Sequence, residues 1–172
     1  MAYICVDVES DGPIPGDYSM ICFGAVHIEE QLSKKFYGVL KPISEKWLPK
    51  DLSISGFTRE ETLLFDDPRT VMIEFKSWLQ SIGKKRLMFI SDNNGYDWSF
   101  INWYFWHFLG ENPLGYSSGN ISSLYKGMVK DTFQNFRHLS KTKITHHPVD
   151  DATSGAEAVL AMKKMGLKIL LD

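Results

Sequence analysis

Tyr3-Ile4-Cys5-Val6-Asp7-Val8-Glu9-Ser10-Asp11-Gly12 is the stretch that decides the reading: an apolar run that ends in acid. Apolar and β-branched residues in such a run form a buried strand. In a strand, residues i and i+2 project to the same side, so Asp7 and Glu9 leave the end of the element together. Two carboxylates held close in an apolar setting repel each other and lose hydration. A cation between them removes both problems, and carboxylate oxygens suit hard divalent ions such as Mg²⁺ or Mn²⁺. Taken alone, the D-x-E triplet fits a solvated surface equally well.

Working outward, residues 3–8 read as a first strand, residues 19–28 as a second and Lys35 to Leu40 as a third. Gly12-Pro13 and Pro15-Gly16-Asp17 supply turn chemistry between the first two. Short connections predict an antiparallel meander. Helical pattern then takes over. Thr58-Arg59-Glu60-Glu61 has the form of a capped helix start. Asp67-Pro68 opens a helix with Val71, Phe75, Trp78, Leu79 and Ile82 at helical spacing and Gly83 as its stop. Arg86 to Ser91 reads as a buried strand, Asp92 to Gly95 as a turn and Asp97 to Leu109 as a helix. Asn112 to Asn120 reads as a loop, Ile121 to Phe136 as either strand or helix, and Asp150 to Met165 as a last helix ending at Gly166. These elements predict an α/β domain with a mixed sheet.

The bulk composition is that of a soluble globular protein. The 172 residues are 44% hydrophobic and 23% charged, which predicts a single domain with a sizeable core. No apolar run approaches the roughly 18 residues that cross a membrane, and a basic, cleavable leader is absent. Cys5 and Cys22 lie in apolar runs and read as reduced core thiols, hence a cytoplasmic protein. The formal charge of −2 excludes nucleic-acid binding by bulk positive charge. It leaves room for an enzyme that meets phosphates locally through bound metal.

Two further acidic sites follow. Asp97 opens an aromatic-rich helix just past a buried strand; a helix dipole also favours an aspartate there, and Asp92 competes for the same role. His146-His147-Pro148-Val149-Asp150-Asp151 starts the last helix, where Asp150 is a natural N-cap. A histidine on a loop beside an aspartate on a rigid helix suits proton transfer from water. The residues alone do not choose between His146 and His147, or between Asp150 and Asp151.

The three segments Val6-Asp7-Val8-Glu9-Ser10-Asp11-Gly12, Asn93-Asn94-Gly95-Tyr96-Asp97 and His146-His147-Pro148-Val149-Asp150-Asp151-Ala152 occur in this order and together. Together they resemble the three exonuclease motifs of the DEDDh branch of the DnaQ-like 3′–5′ exonucleases, which includes RNase T and oligoribonuclease. Compact size and the Asp-Asn-x-x-x-Asp-Trp run look most similar to small stand-alone bacterial and phage exoribonucleases. The resemblance implies an RNase H-like fold, a five-stranded mixed sheet flanked by helices. It implies that Asp7, Glu9, Asp97 and Asp151 hold two Mg²⁺ or Mn²⁺ ions, that His146 is the general base, and that nucleoside 5′-monophosphates leave from the 3′ end. Family spacing selects His146, Asp151 and Asp97 over their neighbours. RNA is favoured over DNA on the subfamily resemblance alone. The family often has Thr-x-Gly after the acidic pair. Here Ser10 and Gly12 take those places near the terminal ribose, and Asp11 adds a negative charge with no evident purpose.

Substrate contacts are expected from Ser10, Gly12 and Tyr96, and from an acid-free stretch, Thr132 to Val149, whose Lys141 and Lys143 would track phosphates of a single strand. The same stretch also fits a solvated basic loop. Trp103 to Phe108 is apolar around nearly the whole helix, so it is either deep in the core or covered by a second subunit; RNase T-like relatives form homodimers. A DNA-directed, proofreading-type 3′–5′ exonuclease and a catalytically silent nucleic-acid-binding module of the same fold are the competing readings, the module disfavoured because every expected catalytic position is filled.

Overall fold

The computed structural model describes residues 1–83 and 85–169. Its centre is a five-stranded sheet built from β1 (Ala2–Ser10), β2 (Met20–His27), β3 (Lys35–Val39), β4 (Leu87–Ser91) and β5 (Ser118–Asn120), in the order β3-β2-β1-β4-β5. β1, β2 and β3 form the antiparallel meander expected from their short connections, while β4 and β5 run parallel to β1. β1 is therefore central, with partners on both edges.

The alternation along β1 sorts the two faces. Ile4, Val6 and Val8 enter a core with Phe23, Phe75, Phe89, Phe100, Tyr104 and Phe105, made with α3 (Pro68–Ser81) and α4 (Asn94–Leu109). Cys5 enters a second core with Val26, Ile90, Tyr125, Ala156, Val159 and Met162, made with α5 (Ile121–Val129) and α6 (Pro148–Lys164). Asp7 and Glu9 continue the Cys5 side of the strand by the period-two rule, which points them towards α6. Cys5 and Cys22 are buried free thiols.

Several boundaries differ from the sequence pattern. A short helix, α1 (Pro49–Ile54), precedes the capped helix α2 (Arg59–Thr62) and has almost no apolar period of its own. The expected loop 112–120 ends in β5, three residues of Ser, Gly and Asn that pair with β4 but lack any strand-like composition. In the ambiguous stretch 121–136, α5 takes Ile121–Val129 as helix, with Asn120 capping it through Ser123 N–H, and the remainder is neither helix nor strand. α6 starts at Pro148 with His147 at the N-cap, so Asp150 lies inside the first turn and is not the cap. The Thr58–Glu61 capping box and the Asp67 cap before Pro68 are present as expected. Of the aromatic helix, Phe100, Ile101, Tyr104 and Phe105 are buried, while Trp106 is 43% exposed and stacks on Tyr116.

Gly24 allows the helix that matters most to approach the sheet. It sits opposite Asp7 in the β1–β2 register. A Cβ built on it would lie 2.4 Å from the backbone carbonyl carbon of Pro148 and 2.4 Å from Val149 N. Backbone cannot rotate away as a side chain can, so only glycine admits the start of α6 here. Gly24→Val should cost about 1–3 kcal/mol in urea unfolding. Gly127→Ala, with nothing within 4 Å of its Cβ position, should be neutral or stabilise by up to about 1 kcal/mol. Equal stability of the two variants would refute the close-approach argument.

Candidate active site

Three elements converge where β1 ends. β1 supplies Asp7 and Glu9, α6 supplies Asp151 beside them, and α4 starts past the end of β4 so that Asp97 reaches back to the same place. There Asp97 Oδ1 accepts a hydrogen bond from Val8 N–H at 3.2 Å. All four carboxylates line one cavity of about 400 Å³, together with Ser10, Tyr96 and His146. Asp92, the competitor of Asp97 in the sequence, lines the same cavity, while Asp150 does not.

The carboxylates are under electrostatic stress. Burial raises the Asp7 pKa well above the ordinary value, and Asp97, Glu9 and Asp151 raise it further. Burial, then Asp151, pushes Glu9 up to about 7. Asp97 is likewise raised, chiefly by burial. Asp7 Oδ2 and Asp97 Oδ2 are buried with no hydrogen-bond partner among the described residues. Buried carboxylate oxygens normally have partners; two without them, on aspartates close enough for Asp97 to raise Asp7, have the chemistry of a cation-binding pair. Ligand atoms of Glu9, His146 and Asp151 also lie within 4.8 Å of one another. The donor set is rich in carboxylate oxygen, the kind Mg²⁺ and Mn²⁺ take.

The loop before α6 separates the two histidines. Both Asp151 oxygens accept backbone N–H groups from it, Thr145 N at 2.9 Å and His146 N at 3.2 Å. His146 sits at φ +61°, a left-handed backbone uncommon for a residue other than glycine. That turn leaves the His146 ring exposed, with Nδ1 3.8 Å from Glu9 Oε1. The His147 ring instead packs on Tyr37 with centroids 4.9 Å apart. Asp150 accepts from Thr145 Oγ1. His147 and Asp150 hold the loop, and His146 and Asp151 face the cavity.

The remaining expected residues divide. Ser10 lines the cavity, but its hydroxyl donates to Gly12 O and is also bonded to the Tyr96 hydroxyl, so it braces Tyr96 as well. Gly12 does not line the cavity; a Cβ there would lie 2.1 Å from the Tyr18 ring, so its smallness serves packing. The Lys141 and Lys143 side chains do not line it either, and Lys141 is held through its backbone N–H by Glu157. Asp11 acquires a purpose. It is fully buried, accepts from Ser19 N and from Arg59 Nη1 at 2.8 Å, and its carbonyl accepts from Leu48 N. Arg59 also donates to Ser44 O and lies over the Trp47 ring. Asp11 therefore ties the end of β1 to the segment leading into α1, whose Asp51 and Ile54 line the cavity, and its charge is spent inward. Sequence pattern missed Asp51, Ile54, Phe136, Arg137 and Ile144 as lining residues. Only Arg137 carried a signal, as a cation in the acid-free stretch.

Comparison with known proteins agrees with this geometry. No family model matches the sequence. A 3′–5′ DNA exonuclease of Escherichia coli, Cap18, is 36% identical over 180 residues, covering 99% of this chain and 96% of that protein. Among solved structures, cell-death related nuclease 4 superposes with a TM-score of 0.76 at 15% identity, over 96% of this chain and 64% of that one. E. coli Exonuclease I bound to a dA16 oligonucleotide gives a TM-score of 0.74 at 14% identity, over 95% of this chain and 41% of that one. A 3′-exonuclease solved with a histone mRNA stem-loop gives 0.76 at 14% identity, over 96% and 82%. The chain thus spans less than two thirds of the first two structures, and likenesses at this identity establish the fold, which is RNase H-like. The full-length relative gives the family: the chain belongs to the DnaQ-like 3′–5′ exonuclease family.

The raised carboxyl groups set the pH response of the metal-free protein. Glu9 binds its proton more tightly folded, at about 7, than unfolded, near 4.5; Asp7 shifts the same way. Folding is therefore favoured in acid, and this contribution is lost as pH rises from about 4.5 to 7. In EDTA the melting temperature should fall by roughly 5 °C between pH 5 and pH 8. Mn²⁺ at pH 8 should restore it, and Asp7→Asn should raise it without metal. A melting temperature that rises across this interval would contradict the assignment.

Proposed function

We propose that residues 1–172 form one exonuclease domain that removes nucleotides stepwise from the 3′ end of single-stranded or 3′-overhanging nucleic acid. The supporting observation is the convergence of Asp7, Glu9, Asp97, Asp151 and His146 on one cavity whose buried carboxylate oxygens lack partners. Asp7, Glu9, Asp97 and Asp151 would hold two Mg²⁺ or Mn²⁺ ions. When bound, such a pair supplies Lewis acidity to the attacking and leaving oxygens of a phosphodiester. His146, exposed and hinged beside Glu9, accepts the proton of the attacking water. As the water oxygen bonds to phosphorus, the bond to the 3′ oxygen of the preceding nucleotide breaks, releasing a nucleoside 5′-monophosphate. Tyr96, braced by Ser10, forms one wall beside the terminal nucleotide.

RNA is carried as the first substrate, on the likeness of the motif runs to compact exoribonucleases. DNA is the second reading, favoured by the name of the E. coli relative. No described helix is long and apolar enough to cross a membrane; a cytoplasmic site of action rests on the sequence reading. For the homodimer, the half-open Trp106 with its neighbour Tyr116 is the surface we assign.

The test uses 5′-labelled single-stranded RNA and DNA with Mn²⁺. A ladder of 3′-shortened products is expected, abolished by EDTA and by Asp7→Ala, and slowed about 10²–10⁴-fold by His146→Ala. The two labels rank RNA against DNA in one gel. No shortening of either strand by pure protein would overturn the enzyme and leave a silent binding module. Reversing Lys141 and Lys143 to Glu should raise KM more than it lowers kcat; unchanged KM and salt dependence would remove both from the strand path.

A further inference from the structure

The charge balance of the cavity wall singles out one residue that the scheme above does not use. Beyond the four carboxylates of the floor, Asp51 and Asp92 also line the cavity. Among the described lining residues, Arg137 is the one permanently charged cation. A nucleic-acid strand brings a phosphate with every nucleotide. Ions on the floor can meet the scissile phosphate, but the next phosphate upstream faces a wall of like charge. It needs a cation of its own, and a guanidinium suits a phosphate because two N–H groups can bond it side by side.

Arg137 is built to supply one. Its backbone is fixed: it begins the 3₁₀ turn Arg137–Leu139, its N–H donates to Asn135 Oδ1, and Phe136 before it is buried in the α6 core. Its side chain is 56% exposed and held at a single point, Nη2 donating to Asp92 Oδ2 at 3.0 Å. Asp92 is itself fixed at the end of β4, where Asn120 Nδ2 donates to its carbonyl.

Resting on the exonuclease reading, we propose that Arg137 positions the phosphate upstream of the scissile bond, and that Asp92 parks it until substrate arrives. Substrate and Asp92 then compete for one guanidinium. The two residues must therefore act in opposite directions on affinity, which a merely structural ion pair would not do.

The experiment compares a single-stranded oligonucleotide with the p-nitrophenyl ester of thymidine 5′-monophosphate, which has a phosphodiester but no upstream phosphate, both with Mn²⁺. Arg137→Gln should raise the oligonucleotide KM about tenfold and lower the selectivity for oligonucleotide over ester by a similar factor. Arg137→Lys should recover part of the loss. Asp92→Asn should lower the oligonucleotide KM several-fold, and do so only while Arg137 is present. The inference fails if Arg137→Gln leaves the oligonucleotide KM unchanged, if it damages both substrates equally, or if Asp92→Asn raises KM. Wild-type protein that cleaves neither substrate would instead refute the exonuclease reading, and this inference with it.

Discussion

Mutual repulsion among crowded, partly buried carboxylates is the constraint around which this molecule is arranged. Asp7, Glu9, Asp97 and Asp151 would separate or take up solvent if each stood on a mobile segment. They are instead delivered by the central strand and by two helices that the cores on opposite faces of the sheet hold in place. Each core contributes one arm of the site. The aromatic core, with Phe75, Phe89 and Phe105 in ring contact with their neighbours, fixes α4 and therefore Asp97. The smaller core, with Ala152, Ala156 and Val159, fixes α6 and therefore Asp151.

The two arms reach the floor by different means. Asp97 is placed by a hydrogen bond to the backbone of β1, between the two acidic residues of that strand. Asp151 is placed by omission. Gly24 lacks the Cβ that would collide with the start of α6, and Gly155 lacks the one that would meet Cys5 Sγ at 2.7 Å. A sheet opposite a helix normally keeps its distance through side chains; removing them at two points lets the helix carry its aspartate to the strand end. Stability given up in stressed carboxylates is thus drawn from packing elsewhere in the fold.

The parts of this design legible in the sequence are those carried by strong local periodicity or by charge in an apolar setting. β1 to β4, α3, the acidic triplet and the start of α6 all have such a signature. β5 and α1 do not. Ser118, Gly119 and Asn120 have no strand propensity and become a strand because β4 offers them a parallel edge; Pro49 to Ile54 is too short to show a helical stripe. Asp11 was unreadable for a different reason. Its partners Arg59 and Ser19 are distant in sequence or neutral, and only the fold shows that the charge points inward. The choice of Asp97 and Asp151 came from family spacing, since local chemistry allowed their neighbours equally.

In the proposed scheme, Asp151 would link ion binding to the placement of His146. Each carboxylate oxygen has two lone pairs, and each Asp151 oxygen uses one on a loop N–H, of Thr145 or of His146. A second lone pair on each remains for a cation. The same carboxylate can therefore ligate an ion and hold the turn that keeps His146 at φ +61°. With His147 packed on Tyr37 on the other side, the loop is pinned at both flanks while the His146 ring stays exposed beside Glu9. The side chain proposed to take the proton is the one left exposed, and the groups proposed to hold the ions are tied to the sheet and to α6.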